Sequence, residues 1–242
     1  MEISSNTLFH FTNHYEYFID SLKHGLWPRY NIEHCWNGKN FAIPMVCFCD
    51  IPLSQIQNHV NRYGKYGIGV TKEFAKRNDI TPVLYVDASS KLKQKIDTLL
   101  TDYTLPTTDE NNIQFSEIML YYLKRVEGIE TKEDQNGKKK QVHVKYYNER
   151  EWRYIPSISN AIHLEIDGKT TLKSCKELCE QTKKNNRLLL EPNDIQYLIV
   201  RCESMVLRLY EEIDEIYHSF PPNEKKLLKT KIICIQQIKK DF

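Results

Sequence analysis

The stretch Lys145 to Pro156, KYYNEREWRYIP, limits this chain more than any other. Its alternation predicts one β-strand, because side chains two apart on a strand share a face. Tyr147, Glu149, Glu151 and Arg153 fall on one face, and Trp152 and Tyr154 on the other. Glu149 and Glu151 then stand roughly 7 Å apart as a paired carboxylate, E-x-E, with aromatics behind it. Two like charges on one strand face fit two environments. One is a solvated edge, where they answer Arg150, Arg153 and nearby lysines, since charged side chains are mostly exposed. The other is the lining of a cleft that uses negative charge. In either case Trp152 is expected to be buried on the opposite face.

The surrounding pattern alternates short apolar strands with helices. NTLFHFT is a strand ending at His10 and Thr12. Asn13 and Glu16 are spaced as a capping box for a helix striped by Tyr15, Phe18, Ile19 and Leu22, and Gly25 closes it. Pro28 prevents the helix from continuing and leaves Arg29 beside aromatics. Phe41 to Cys49 reads as a buried strand kinked at Pro44. Pro52 then opens a helix with Leu53, Ile56, Val60 and Tyr63 on its apolar face, ended by Gly64. Tyr66 to Thr71, YGIGVT, is a strand whose glycines mark a bulge or the close approach of a ligand. A short helix at Lys72 to Arg77 leads to the strand PVLYVD.

Farther on, Leu92, Ile96, Leu99 and Leu100 suit a helix, and Phe115, Ile118, Met119, Tyr122, Leu123 and Val126 give the cleanest helical stripe. Asn136-Gly137 predicts a hairpin turn with a solvated lysine arm at 138–140. A helix with Leu172, Cys175 and Leu178 inward, the strand DIQYLIVRC, a helix striped by Val206, Leu209, Ile213 and Ile216, and a last strand TKIICIQQI follow. No repeat or boundary interrupts this order, so residues 1–242 are expected to form a single α+β domain with a mixed central β-sheet and surrounding helices.

Composition matters for what it removes. A net charge of +2 gives no reason to invoke nucleic acid or an acidic membrane as an obligatory partner. No apolar run approaches the roughly 20 residues that span a bilayer, and the first residues lack the charged-then-apolar pattern of a signal peptide. The seven cysteines form no C-x-x-C pair. Cys47 with Cys49 and Cys175 with Cys179 read as small hydrophobes in a reducing cytoplasm. The eight histidines are scattered without metal-ligand spacing, so no metal is expected.

The candidate polar groups are His10, Arg29, Tyr63, Tyr66, Glu149 and Glu151. Singly, each has an ordinary role as a cap, a core residue or a surface side chain. Together they suit a cleft for an anionic, aromatic-ended ligand. Arginine pairs with phosphate, tyrosine stacks on a flat ring, and a carboxylate stabilises positive charge developing on a ribose.

The segments LFHFT, LKHGLWPRY, IPMVCFCDIPLSQI, YGKYGIGVTKEF, PVLYV and NEREWRYIP resemble the bacterial AbiGi family, over about residues 7 to 240. That resemblance implies a role in a two-gene abortive-infection system against phage, where the family is labelled an antitoxin. A strand ending in His, a later Tyr and a late strand with Glu are also similar, more distantly, to the H-Y-E pattern of NAD-dependent ADP-ribosyltransferases such as the DarT toxins. The E-x-E pair is similar to that of the arginine-modifying branch. Carried over, this implies NAD as substrate and no metal. His10 would contact NAD and Tyr63 or Tyr66 would stack on nicotinamide; Thr12, at the same strand end, and Arg29, from its phosphate-pairing chemistry, are placed at that cofactor site beside them. Glu151 would assist nicotinamide departure and Glu149 would position the acceptor. Cys47-Phe48-Cys49 stands where that pattern has small hydroxyls.

Two functions are therefore carried forward. One is a cytoplasmic ADP-ribosyltransferase or NAD hydrolase in phage defence, with protein, nucleic acid or water as acceptor and no membrane involved. The other is a non-catalytic antitoxin that binds or represses an operon-encoded partner toxin. A metal-dependent nuclease is a weaker third, since no second acidic cluster accompanies the first.

Overall fold

The computed structural model describes residues 5–34, 40–101, 121–133, 137–156, 164–165 and 176–241. Its frame is a mixed sheet. In chain order the strands are β1 (Thr7–Thr12), β2 (Arg29–His34), β3 (Asn40–Cys49), β4 (Tyr66–Thr71), β5 (Thr81–Pro82), β6 (Leu84–Val86), β7 (Leu123–Arg125), β8 (Gly128–Glu133), β9 (Lys139–Val144), β10 (Glu151–Tyr154), β11 (Leu164–Glu165), β12 (Ile195–Val200) and β13 (Ile232–Cys234). The main sheet runs β13-β12-β4-β1-β3-β10-β5, with β2 and β11 also paired to β3. Its neighbours are antiparallel except for β12 and β13, which are parallel.

Helix α1 (Tyr15–His24), α3 (Lys72–Arg77) and the helix Glu203–Ile216 cover one face. Phe18, Leu22, Phe74, Ala75, Leu209 and Ile213 pack there on Leu8, Ile68, Val70 and Leu198. Helix α2 (Gln57–Tyr63) and the helix Ile235–Asp241 cover the other face, with Val60, Ile235 and Ile238 against Phe9, Cys49 and Ile199. Strand alternation explains the split, since Leu8 and Phe9 on β1 enter different cores. This is an α+β arrangement around a mixed sheet, as the pattern predicts.

Several boundaries differ from the sequence expectation. The stretch Lys145 to Pro156 is not one strand: Tyr146–Glu149 is a 3-10 turn, Arg150 has φ of 46°, and the strand begins only at Glu151. Helix α1 starts after His14, with no side-chain cap, so the Asn13/Glu16 capping box does not form. Pro52 precedes a 3-10 turn, Leu53–Gln55, and α2 follows it. Arg29 opens a strand, β2, where the sequence reading named no element. TKIICIQQI divides into β13 and a helix, and the helix Pro222–Lys229 lies just before it. Leu123 lies in a strand, pairing with Leu84. Phe115, Ile118 and Met119, and Leu172 and Cys175 of another expected helix, lie outside the described residues.

β8 and β9 pair antiparallel as the expected hairpin requires, with Glu133 opposite Lys139, while Asn136 of the expected turn lies outside the described residues. YGIGVT is a strand, and its partner β12 shifts register between Ile195 and Tyr197, opposite Val70 and Gly69. A Cβ on Gly67 would meet the Phe11 ring at 2.7 Å, and one on Gly69 the Phe9 ring at 2.8 Å. The missing side chains let two aromatic rings lie across the sheet, and both rings then form cavity wall.

Candidate functional site

β1 and β3 pair only at Phe9 and Cys49, whereas β1 stays in register with β4 from Thr7 to Thr12. Beyond Phe9, β1 therefore diverges from β3. The Nδ1–H of His10 donates to the Cys47 carbonyl, 2.9 Å away, and so occupies an acceptor that a continued ladder would use. A cavity of about 650 Å³ opens at this divergence. It is lined by His10, Thr12, Arg29, Tyr63, Glu149 and Glu151 among others.

Tyr63 reaches the cavity because Gly64 ends α2 with φ of 136°. A Cβ at Gly64 would lie 2.1 Å from the Thr12 carbonyl, so only glycine allows α2 to end against β1. Tyr66 goes elsewhere. It packs against Tyr15 and Phe18 in the core beneath α1, and of the two candidate tyrosines only Tyr63 reaches the site. Arg29 lies over two aromatic rings, its guanidinium carbon 4.4 Å from the Trp27 centroid and 4.8 Å from that of Tyr17. β2 holds it there by pairing Arg29 with Met45 of β3.

The cavity floor is ionic. Glu151 accepts from Arg153 Nε at 2.7 Å and pairs with Lys124 Nζ. Glu149 accepts from the Tyr63 hydroxyl at 2.5 Å, from Lys124 at 2.6 Å, and lies 3.2 Å from Arg62 Nη1. Arg153 is fully buried. Its Nη1 donates to the Tyr121 carbonyl, and Nη2 lies 3.1 Å from Glu33. Burial alone would raise the Glu151 carboxyl, but Arg153 and Lys124 outweigh it and hold the pKa down at about 2. The same pairing, with Glu151 and Glu149, raises Lys124 against the effect of its own burial. Glu151 and Lys124 are therefore both charged at neutral pH.

His10, Cys47 and Tyr63 are neutral. Burial lowers His10, with Arg29 adding to it against the Cys47 hydrogen bond. Burial and then Glu151 push the Cys47 thiol well above its ordinary value, which makes it a poor nucleophile. Burial and Glu149 raise Tyr63, keeping its hydroxyl protonated.

Sequence reasoning missed Lys124 and His59, which line the cavity, and Arg62, which pairs with Glu149. Lys124 sits in a run whose spacing suggested a helix with Lys124 on its polar side; β7 instead lays it over the two carboxylates. His59 was detectable, because it is four residues before Tyr63 on α2 and such pairs share a helix face; their ring centroids are 5.7 Å apart. Among the described residues, no group of three His, Cys, Asp or Glu side chains could hold a metal ion, and no helix is long and apolar enough to cross a membrane.

No solved structure matches the chain. The family described as "Putative abortive phage resistance protein AbiGi, antitoxin" matches residues 30–201. The "Abortive phage resistance protein AbiGi" of Lactococcus lactis subsp. cremoris is 31% identical over 230 residues, covering 84% of this chain and 90% of that protein. The family match includes β2, β3, α2, Lys124 and both glutamates, the elements that build the cavity floor. The chain belongs to the AbiGi family of abortive phage resistance proteins.

Proposed function

We propose that this chain is a phage-defence enzyme that cleaves the nicotinamide–ribose bond of NAD, as an ADP-ribosyltransferase or NAD hydrolase with an ADP-ribosyltransferase-like fold. The observation that supports this reading best is the meeting of His10, Arg29, Tyr63 and Glu151 in one cavity. Its volume of about 650 Å³ lies within the roughly 300–1,000 Å³ of small-molecule and cofactor sites.

Each residue then has a task. The Arg29 guanidinium, held against the rings of Trp27 and Tyr17, presents N–H donors to the diphosphate. His10 is neutral and donates its Nδ1–H to the Cys47 carbonyl, so its Nε2 is left as an acceptor for a ribose hydroxyl. Tyr63 offers a ring face to nicotinamide. Departure of nicotinamide leaves positive charge on the ribose, and the Glu151 anion, fixed in place by Lys124 and Arg153, stabilises that charge.

Glu151→Gln keeps the shape and removes the charge. Nicotinamide release is expected to fall on the order of 10²–10³-fold while NAD still binds. The assay is nicotinamide release by purified protein, with and without its operon partner and phage extract.

The family description favours a second reading, a non-catalytic antitoxin that binds or represses a partner toxin. Absence of NAD binding and of nicotinamide release under all these conditions, together with tight binding to the partner, would replace the first reading with this one.

A further inference from the structure

The E-x-E pair suggests a guanidinium acceptor only while its oxygens are open. Here they are closed. Oε1 of Glu149 faces Tyr63 and Arg62, and Oε2 faces Lys124. Oε1 of Glu151 faces Arg153, and Oε2 faces Lys124. The Lys124 ammonium thus bridges the two carboxylates, where an incoming cation would have to lie. An arginine acceptor would have to expel a buried ammonium and approach three further cationic or donor groups. Leaving such a charge without its partner is unfavourable.

A different group at the cavity has one unpaired polar atom. His59 lines the cavity, is 8% exposed, and its buried Nε2 makes no hydrogen bond. A buried polar atom left unpaired is costly, and one at a cavity wall gains most from a ligand that satisfies it. The half-exposed Tyr63 ring packs on His59 and shares its helix face, which sets the imidazole directly behind a ring of the cavity wall. Burial lowers His59 from its ordinary value, against the opposing effect of Glu149, so the imidazole is neutral at pH 7 and able to take a proton.

We propose that the acceptor at this site is an uncharged O–H nucleophile held by His59 Nε2, and not a guanidinium. This rests on the NAD-cleaving reading above. The oxygen of the acceptor bonds to the ribose C1′ as the C1′–nicotinamide bond breaks. The bonding pair leaves with the nicotinamide nitrogen and neutralises its ring charge. The O–H proton passes to His59 Nε2 and then to solvent. Water is the smallest such acceptor, which makes NAD hydrolysis the basal reaction.

The test uses the full chain with NAD and two probe nucleophiles, methanol and agmatine, with products identified by mass spectrometry. The expected products are ADP-ribose and its methyl glycoside, with no agmatine adduct. His59→Gln is expected to lower both hydrolysis and methanolysis by about 10²-fold, as loss of a general base does, with NAD affinity unchanged. His59→Phe, which removes the unpaired nitrogen, is expected to melt no lower than the wild type while losing the same activity, so a folding defect is not mistaken for the effect. NAD turnover that yields an agmatine adduct, or that is unchanged in both variants, overturns the acceptor assignment alone. Failure of the wild-type chain to bind or cleave NAD overturns the transferase reading and this assignment with it.

Discussion

The two faces of β10 make an instructive contrast. Trp152 and Tyr154 point to the side of Phe48 and Val46, on the large apolar core. Glu151 and Arg153 point the other way, beside Cys49 and Cys47. Ordinary hydrophobicity would bury the aromatics and expose the charges. The reverse holds: Glu151 and Arg153 are buried, whereas Trp152 and Tyr154 are half-buried. Trp152 carries Lys72 over its ring at 4.0 Å, which leaves one side of the indole near the surface. The charged face can be buried because each charge meets an opposite one within hydrogen-bond distance. A buried ion pair is weak evidence of stability in itself. Its presence under a cavity, where apolar residues would pack more simply, points to a role in the site.

The contrast can be broken most severely at Arg153. Arg153→Met removes one partner of a buried pair and leaves Glu151 leaning on Lys124 alone. A loss of about 3–5 kcal/mol is expected in denaturant unfolding. Arg153→Met combined with Glu151→Gln should cost less than the two single changes added together, since neither then strands a charge. An additive result would show that the two residues are not coupled.

Acid offers a gentler version of the same experiment. The Glu151 pKa is held at about 2 against an ordinary 4.5. A carboxyl whose folded pKa is depressed adds stability that is fully present above its unfolded pKa and is lost as pH falls through the folded one. The contribution should therefore disappear between about pH 4.5 and pH 2, and acid unfolding should be shallower across that window in Glu151→Gln. Identical pH profiles for variant and wild type would contradict the pairing.

On the other face, Trp152→Ala should cost about 2 kcal/mol, less than the 3–5 of a fully buried aromatic, because half of the ring already meets solvent or Lys72. A loss above that for Arg153→Met would reverse the ranking of the two faces. The smallest effect belongs away from both. Thr71 caps α3 by accepting from the Phe74 N–H at 3.1 Å, and Thr71→Ala should lower stability by about 1 kcal/mol in thermal unfolding.

Legibility in the sequence followed the range of the interaction. β4 and α3 were readable to the residue, because the signals that bound them lie within a few residues. The E-x-E pair was readable as a pair but not in its geometry. Arg150 takes a left-handed conformation that kinks the chain between the two glutamates, and the three-residue spacing alone does not announce it. Tyr63 and Tyr66 looked equivalent beside Gly64. Only the packing of α1 on β4 sends one of them into the core.

The sequence by itself determined the alternation of strands and helices, the two-sided character of the sheet, the hairpin and the family. These depend on neighbours within a few residues, or on motifs that the chain carries linearly. Tertiary structure alone decided the divergence of β1 from β3, the placement of Lys124 between Glu149 and Glu151, and the burial of Arg153. Lys124 is 25 residues from Glu149 and 27 from Glu151, and Tyr63 is 86 from Glu149. A charge is unfavourable in a protein interior until its partner arrives, and these partners arrive only when the sheet has assembled.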